Sequence, residues 1–298
     1  WDVFAVNTYL TVSSIFFLVG LIPDVAAARD RAKHPVMRLV YTIASFGWTG
    51  ANYQWKHFYG AYLFFAALAT PLVFSVHSVV SWDFAMADTP GWHSTIFPPY
   101  FVAGAIYSGC AMVITLMLPL TKLFKLDAYI HVWHFEHLAK LCMFTGGILT
   151  YAYGTEYFVA WYSDNPYEWA VFVDRVVGKY WWVFGMMVLC NNILPLLWWF
   201  KKVRTSFVGL FVISIVINIG MWFERFNIIA SSLAHSFDPG SWAYYLPTYI
   251  EIGILIFSFA WFFLWFLLFA KIMPSVAIAE VKETLRPPLK HDQEAAAK

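Results

Sequence analysis

The sequence has little charge. Asp, Glu, Lys and Arg make up 12% of its 298 residues, against about 25% in soluble globular chains. That scarcity excludes water as the main solvent of a folded chain this long. Cysteine is rarer still: Cys110, Cys142 and Cys190 each lie inside an apolar run, with no C-x-x-C pair and no C-x-x-C-H haem-attachment signature. The reading is therefore that this chain itself binds no iron–sulfur cluster through cysteine clusters and no covalently attached haem. Net charge is +1, which gives no reason to expect a nucleic-acid partner. Trp1 opens directly into an apolar run without a charged leader, so a further N-terminal part is expected to precede it.

What is present is apolar and aromatic surface. Hydrophobic residues reach 61% and aromatic ones 21%, with 16 Trp. Rings with an apolar body and a polar edge concentrate where a bilayer meets water. A helix needs roughly 20 apolar residues to cross that bilayer, because every backbone amide must be paired internally in hydrocarbon. Seven stretches qualify: Phe4 to Ala26, His57 to Phe84, Pro99 to Leu120, Ala128 to Tyr153, Val176 to Phe200, Thr205 to Ile229 and Leu246 to Ala270. The expected fold class is all-α, a polytopic transmembrane helical bundle over residues 1–270 with a cytoplasmic tail over 271–298. Residues 35–55 mix Arg38, Thr42 and Ser45 with turn-prone Gly47 and Gly50, and are expected to form an interfacial or re-entrant helix.

Basic residues stay on the cytoplasmic side of a membrane, and here they alternate from gap to gap. Arg29, Arg31, Lys33, Arg38 and Lys56 follow the first stretch, and Ala85 to Pro98 has none. Lys122 and Lys125 fill the third gap, while Arg175 and Lys179 in the fourth face Glu156, Asp164, Glu168 and Asp174. Lys201, Lys202 and Arg204 fill the fifth, and Lys271, Lys282, Arg286, Lys290 and Lys298 follow the last. The alternation predicts an N-terminus outside and a C-terminus in the cytoplasm.

Ionisable groups inside a span are costly, so each is a candidate for function. His77 and Asp83 follow the helix-kinking Pro71 in the second stretch. At about 100° and 1.5 Å per residue they sit roughly 120° apart and about 9 Å along the axis, bordering one pocket from two sides. A carboxylate and an imidazole there suit a quinol's hydroxyl protons. The structural alternative is a helix end in interfacial water beside a histidine on a backbone carbonyl.

In the fourth stretch, Asp127, His131, His134, Glu136, His137 and Lys140 crowd fewer than four turns, with Glu136 and Lys140 an i, i+4 pair of opposite sign. They form a possible cytoplasmic proton path, or a structural polar seam. Asn218, Glu224, Arg225 and Glu251 extend such a path outward, unless Arg225 simply pairs with Glu224 or Glu251. Asn191 and Asn192 before Pro195 are expected to serve the backbone groups that the proline frees.

The segments "FLVGLIPDVAAARDR", "ASFGWTGANYQW", "LATPLVFSVHSVVSWDFA", "GWHSTIFPPYFVAGAIYSGCAMVITLMLP" and "HLAKLCM" resemble the NrfD-like, polysulfide-reductase-type membrane subunits. They look most like the ActC-type subunit of bacterial alternative complex III. The resemblance implies a larger fold of two four-helix bundles, and a bacterial inner-membrane subunit that oxidises menaquinol or ubiquinol near the outer face at Asp83 and His77. It implies as partners an extrinsic iron–sulfur, molybdopterin-oxidoreductase-like subunit, a second NrfD-like subunit, multihaem cytochrome c subunits and a terminal oxidase, with possible proton translocation. Against it stand a non-catalytic membrane anchor of a molybdopterin/iron–sulfur reductase, and a haem-b subunit, for which no span holds suitably spaced histidine pairs. A retinal protein would need a lysine inside the last span, where Lys271 comes only at the end.

Overall fold

The computed structural model describes residues 1–274, 276–278 and 281; most of the expected cytoplasmic tail lies outside the described residues. The elements run α1 (Asp2–Arg31), α2 (Pro35–Ala44), α3 (Asn52–Ala85), α4 (Phe97–Leu123), α5 (Val132–Tyr162), α6 (Pro166–Val177) and α7 (Trp181–Val188). α7 continues as a π turn (Leu189–Ile193) and a 3-10 segment (Leu194–Trp199). Then follow α8 (Lys201–Arg204), α9 (Phe207–Phe226) with its own terminal π turn (Asn227–Ser231), a short 3-10 turn (Pro239–Ser241) and α10 (Tyr249–Ile272). No strand occurs among the described residues, so the chain is an all-α polytopic bundle.

Among the described residues, six helices are long and apolar enough to cross a membrane: Asp2–Arg31, Asn52–Ala85, Phe97–Leu123, Trp181–Trp199, Phe207–Ser231 and Tyr249–Ile272. The seventh expected span is α5, whose 31 residues extend about 46 Å, beyond the roughly 30 Å of hydrocarbon. Tyr151, Tyr153, Glu156 and Tyr157 dilute its apolar character. The span expected to begin at Val176 instead begins at Trp181, because Val176 and Val177 close the separate helix α6. α2 has ten residues, about 15 Å, half a hydrocarbon thickness. The turn after it carries positive φ at Phe46, Gly47 and Gly50.

The chain divides into two compact units, Trp1–Ala5 with Val73–Leu246, and Val6–Leu72 with Pro247–Lys298. In the second unit, Tyr41 donates its hydroxyl to the Ile272 carbonyl at 2.7 Å. Arg29 reaches the Trp48 carbonyl at 3.0 Å, and Trp48, Trp55, Phe58, Tyr59 and Tyr62 form a chain of ring contacts. The Gln54 side-chain oxygen accepts from the amides of Thr49, Gly50 and Ala51, satisfying donors that the turn leaves over.

In the first unit, α4, α5, α7 and α9 enclose a core of Phe97, Tyr107, Ala111, Ile114, Ala139, Leu149, Leu210 and Ile217. Helices in lipid associate through close packing and hydrogen bonds, since lipid tails are as apolar as the core itself. α9 approaches the π turn of α7 closely at Gly220, where an added Cβ would lie 2.2 Å from Asn191 Oδ1 and 2.7 Å from Cys190 Cβ. No other residue permits that contact.

Candidate functional site: a buried polar network in the first unit

The network starts from a break in α7. Pro195 has no N–H to give the carbonyl four residues earlier, that of Asn191; Tyr107 of α4 donates its hydroxyl there instead, at 2.9 Å. The lost bond is accompanied by the π turn Leu189–Ile193, a distortion common at functional sites. That turn aims the Asn191 amide inward, where Nδ2 donates to the Tyr153 hydroxyl at 3.1 Å and lies 3.5 Å from Glu224 Oε2. Tyr153 in turn donates to Glu224 Oε2. Tyr100 reaches the same carboxylate.

Glu224 is wholly buried, and its other oxygen lies 3.5 Å from the Arg225 guanidinium. The Arg225 guanidinium sits 4.1 Å over the Phe101 ring, a cation–π contact, and within electrostatic reach of His77. Half-buried His77 thus stands near one edge of the network. Asp83, two turns along α3 and exposed, lies within electrostatic reach of Asp2. The structure therefore brings His77 within electrostatic reach of Arg225, and Asp83 within that of Asp2, a residue that the sequence did not single out.

A second buried group lies toward α6. Arg175 is 1% exposed; Nε donates to Ser231 at 2.8 Å, NH2 to Ser232, and NH1 lies 3.6 Å from Glu156. His235 Nδ1 donates to the Ser231 carbonyl, and its Nε2 lies 3.1 Å from Asp174. The π turn Asn227–Ser231 and its C-cap Ser232 supply the serine partners. Glu156 Oε1, Glu224 Oε1, Arg225 NH1, Asn227 Oδ1 and Tyr157 OH are buried without a hydrogen-bond partner, an unusual density of unsatisfied polar atoms.

The other sequence candidates sit elsewhere. Lys122 donates to Asp127 at 2.7 Å in the exposed α4–α5 turn. His131 is the exposed N-cap of α5, its amide donating to His134 Nδ1 at 3.0 Å, and His134 stacks on Trp133 at 3.8 Å. His137 is turned to the Trp133 carbonyl at 2.7 Å. Glu136 is clasped by Lys140 at 3.1 Å and by Arg204 at 3.0 Å, so the anticipated pair is a triad joining α5 to α8. Glu251, in the second unit, closes a capping box with Thr248 at the start of α10.

Sequence reasoning found Glu224 and Arg225 and missed Tyr153, Glu156, Asp174, Arg175, Ser231, Ser232 and His235. Arg175 and Glu156 were read as charges of a solvated gap. A signal was available in Glu156, which lies three residues beyond the expected end of an otherwise helical stretch.

The family model described as "Polysulphide reductase, NrfD" matches residues 1–235, which include every residue of the network. No curated protein matches the chain.

Proposed function

The chain belongs to the NrfD polysulphide reductase family, whose members are membrane subunits of oxidoreductase complexes, and from that premise we propose that it binds and oxidises a quinol at the Asp83 end of α3. The substrate class is menaquinol or ubiquinol. Oxidation to the quinone releases both hydroxyl protons and a pair of electrons. The electrons pass to an iron–sulfur partner subunit, in the manner of alternative complex III. The observation that carries the reading is the place of Asp83, exposed at the last turn of α3 with half-buried His77 on the same helix, a carboxylate and an imidazole able to take up a quinol's protons. The charge alternation supports placing this end at the outer face of a bacterial cytoplasmic membrane, so the protons leave outward.

The Glu224–Tyr153–Asn191 cluster and the Glu156–Arg175 group supply buried proton-bearing side chains beside that end, and the Glu136–Lys140–Arg204 triad supplies charged, partly exposed ones near the start of α5. We extend the reading to a proton route through these groups. Proton-to-electron ratios of the complex in liposomes test it: Glu136→Gln and Glu224→Gln lower the ratio, and wild-type ratios in both remove the route.

The rival reading, a non-catalytic anchor for an extrinsic molybdopterin/iron–sulfur subunit, is favoured by the pairing of buried Arg175 with Glu156 and of half-buried Arg225 with Glu224. Quinol turnover by the intact complex decides between them. Asp83→Asn lowers it by at least tenfold if Asp83 accepts the proton, a usual size for loss of an acid–base group. Unchanged kinetics in that variant and in His77→Ala leave only the anchor.

A further inference from the structure

We propose that Trp92, seated by Gly91, is a positioning residue for the Asp83 end of α3, and that it transmits the arrangement of the Arg175 cluster to that end. The inference rests on the quinol reading above. The α3–α4 loop begins a few residues after Asp83 and is held at two adjacent positions. Trp92 donates its indole N–H to the Ile228 carbonyl at 2.7 Å, and Ile228 belongs to the π turn that ends α9. Gly91 has φ +81°, a conformation that L side chains rarely adopt, and an added Cβ would lie 3.3 Å from Arg175 NH2, 3.3 Å from Val171 Cγ1 and 3.5 Å from Ser232 Oγ. The loop is therefore seated against α6 and the π turn.

What it holds is the ring next to Asp83. Trp92 meets Phe84 edge-on with centroids 4.8 Å apart, and Phe84 also contacts Phe97 and Phe101 at 6.0 and 5.3 Å. Phe101 is the ring beneath Arg225. Phe84 follows Asp83 directly in the helix, so the rotation of that last turn, and with it the direction of the carboxyl, depends on a tryptophan bonded to a different helix. Phenylalanine would fill the space without the bond; only an N–H on a large ring does both.

The test uses the intact complex, with decylubiquinol and menadiol as donors, a dye acceptor, and amide hydrogen exchange. Trp92→Phe removes the N–H and keeps a ring, and Gly91→Ala lifts the loop without touching Trp92. Both are expected to raise KM about fivefold, the size of one hydrogen bond, with kcat within twofold, and to speed exchange of amides 88–96. Faster exchange with unchanged KM in both variants makes the loop merely structural and overturns the proposal, as does wild-type exchange. Asp83→Asn in the same assay separates the two readings: if it retains wild-type kinetics the quinol reading fails, whatever the loop variants do.

Discussion

Tyr153 of α5 donates its hydroxyl to the Glu224 carboxylate of α9, and the same carboxylate lies 3.5 Å from both Arg225 and the Asn191 amide. Three helices thus meet on one wholly buried acid. In low dielectric a fully satisfied polar cluster fixes helix register, and a half-satisfied one is costly.

Tyr153→Phe removes one donor from that acid while preserving the ring. The expected cost is about 1–3 kcal/mol, seen as earlier thermal unfolding of the detergent-solubilised complex. Wild-type stability would mean that the hydroxyl contributes nothing to holding α5 against α9.

Arg175→Met should cost more, about 3–5 kcal/mol, because it leaves Glu156 buried without its partner. Combining it with Glu156→Gln should recover much of that loss, since breaking a buried pair is worse than removing it whole. A double variant no more stable than Arg175→Met would show that Arg175 acts through Ser231 and Ser232 rather than through Glu156.

The long apolar runs made most of the fold legible, since hydrocarbon imposes helix on any chain that crosses it. Helix ends were less so: in the run from Val176 to Phe200 only Gly178, the C-cap of α6, marks that this helix closes at Val177 before a new one opens at Trp181. Asn191 and Asn192 were expected to serve the backbone groups that Pro195 frees, but the freed Asn191 carbonyl is served by Tyr107, 84 positions earlier, while the Asn191 amide turns to Tyr153, and no local pattern encodes those pairings. The π turns have the same effect: each shifts the register of side chains beyond it, so helical spacing in the sequence no longer predicts which residues share a face. Glu224 and Arg225 were legible as charges in an apolar run, whereas Tyr153 resembles any other interface tyrosine until the fold turns it inward.

If Asp2 and Asp83 act as one proton-holding pair, their substitutions are not additive. Asp2→Asn and Asp83→Asn should each lower quinol turnover, and the double variant should be no slower than the slower single one. Multiplying defects would show two groups acting independently.

The predicted topology has a direct check. A cysteine at Asp164, in the exposed turn after α5, should react with a membrane-impermeant maleimide from the outer side. One at Lys202 should react only after permeabilisation. The reverse pattern would invert the orientation and put the Asp83 end in the cytoplasm.

Gly220 tests the packing on which the network depends. Its missing Cβ lets α9 approach the π turn of α7 until Asn191 Oδ1 and Cys190 Cβ occupy the space a methyl would need. Both neighbours are anchored, Asn191 through its Tyr153 and Tyr107 bonds and Cys190 Cβ because it sits directly on the backbone. Neither can move aside without breaking a hydrogen bond or shifting the turn. Gly220→Ala should therefore destabilise the bundle by about 1–3 kcal/mol, the usual cost of overpacking, and lower quinol turnover together with stability, because Asn191 is displaced from Glu224. Gly220→Ala with wild-type melting and turnover would show that α7 and α9 do not hold this distance in the membrane.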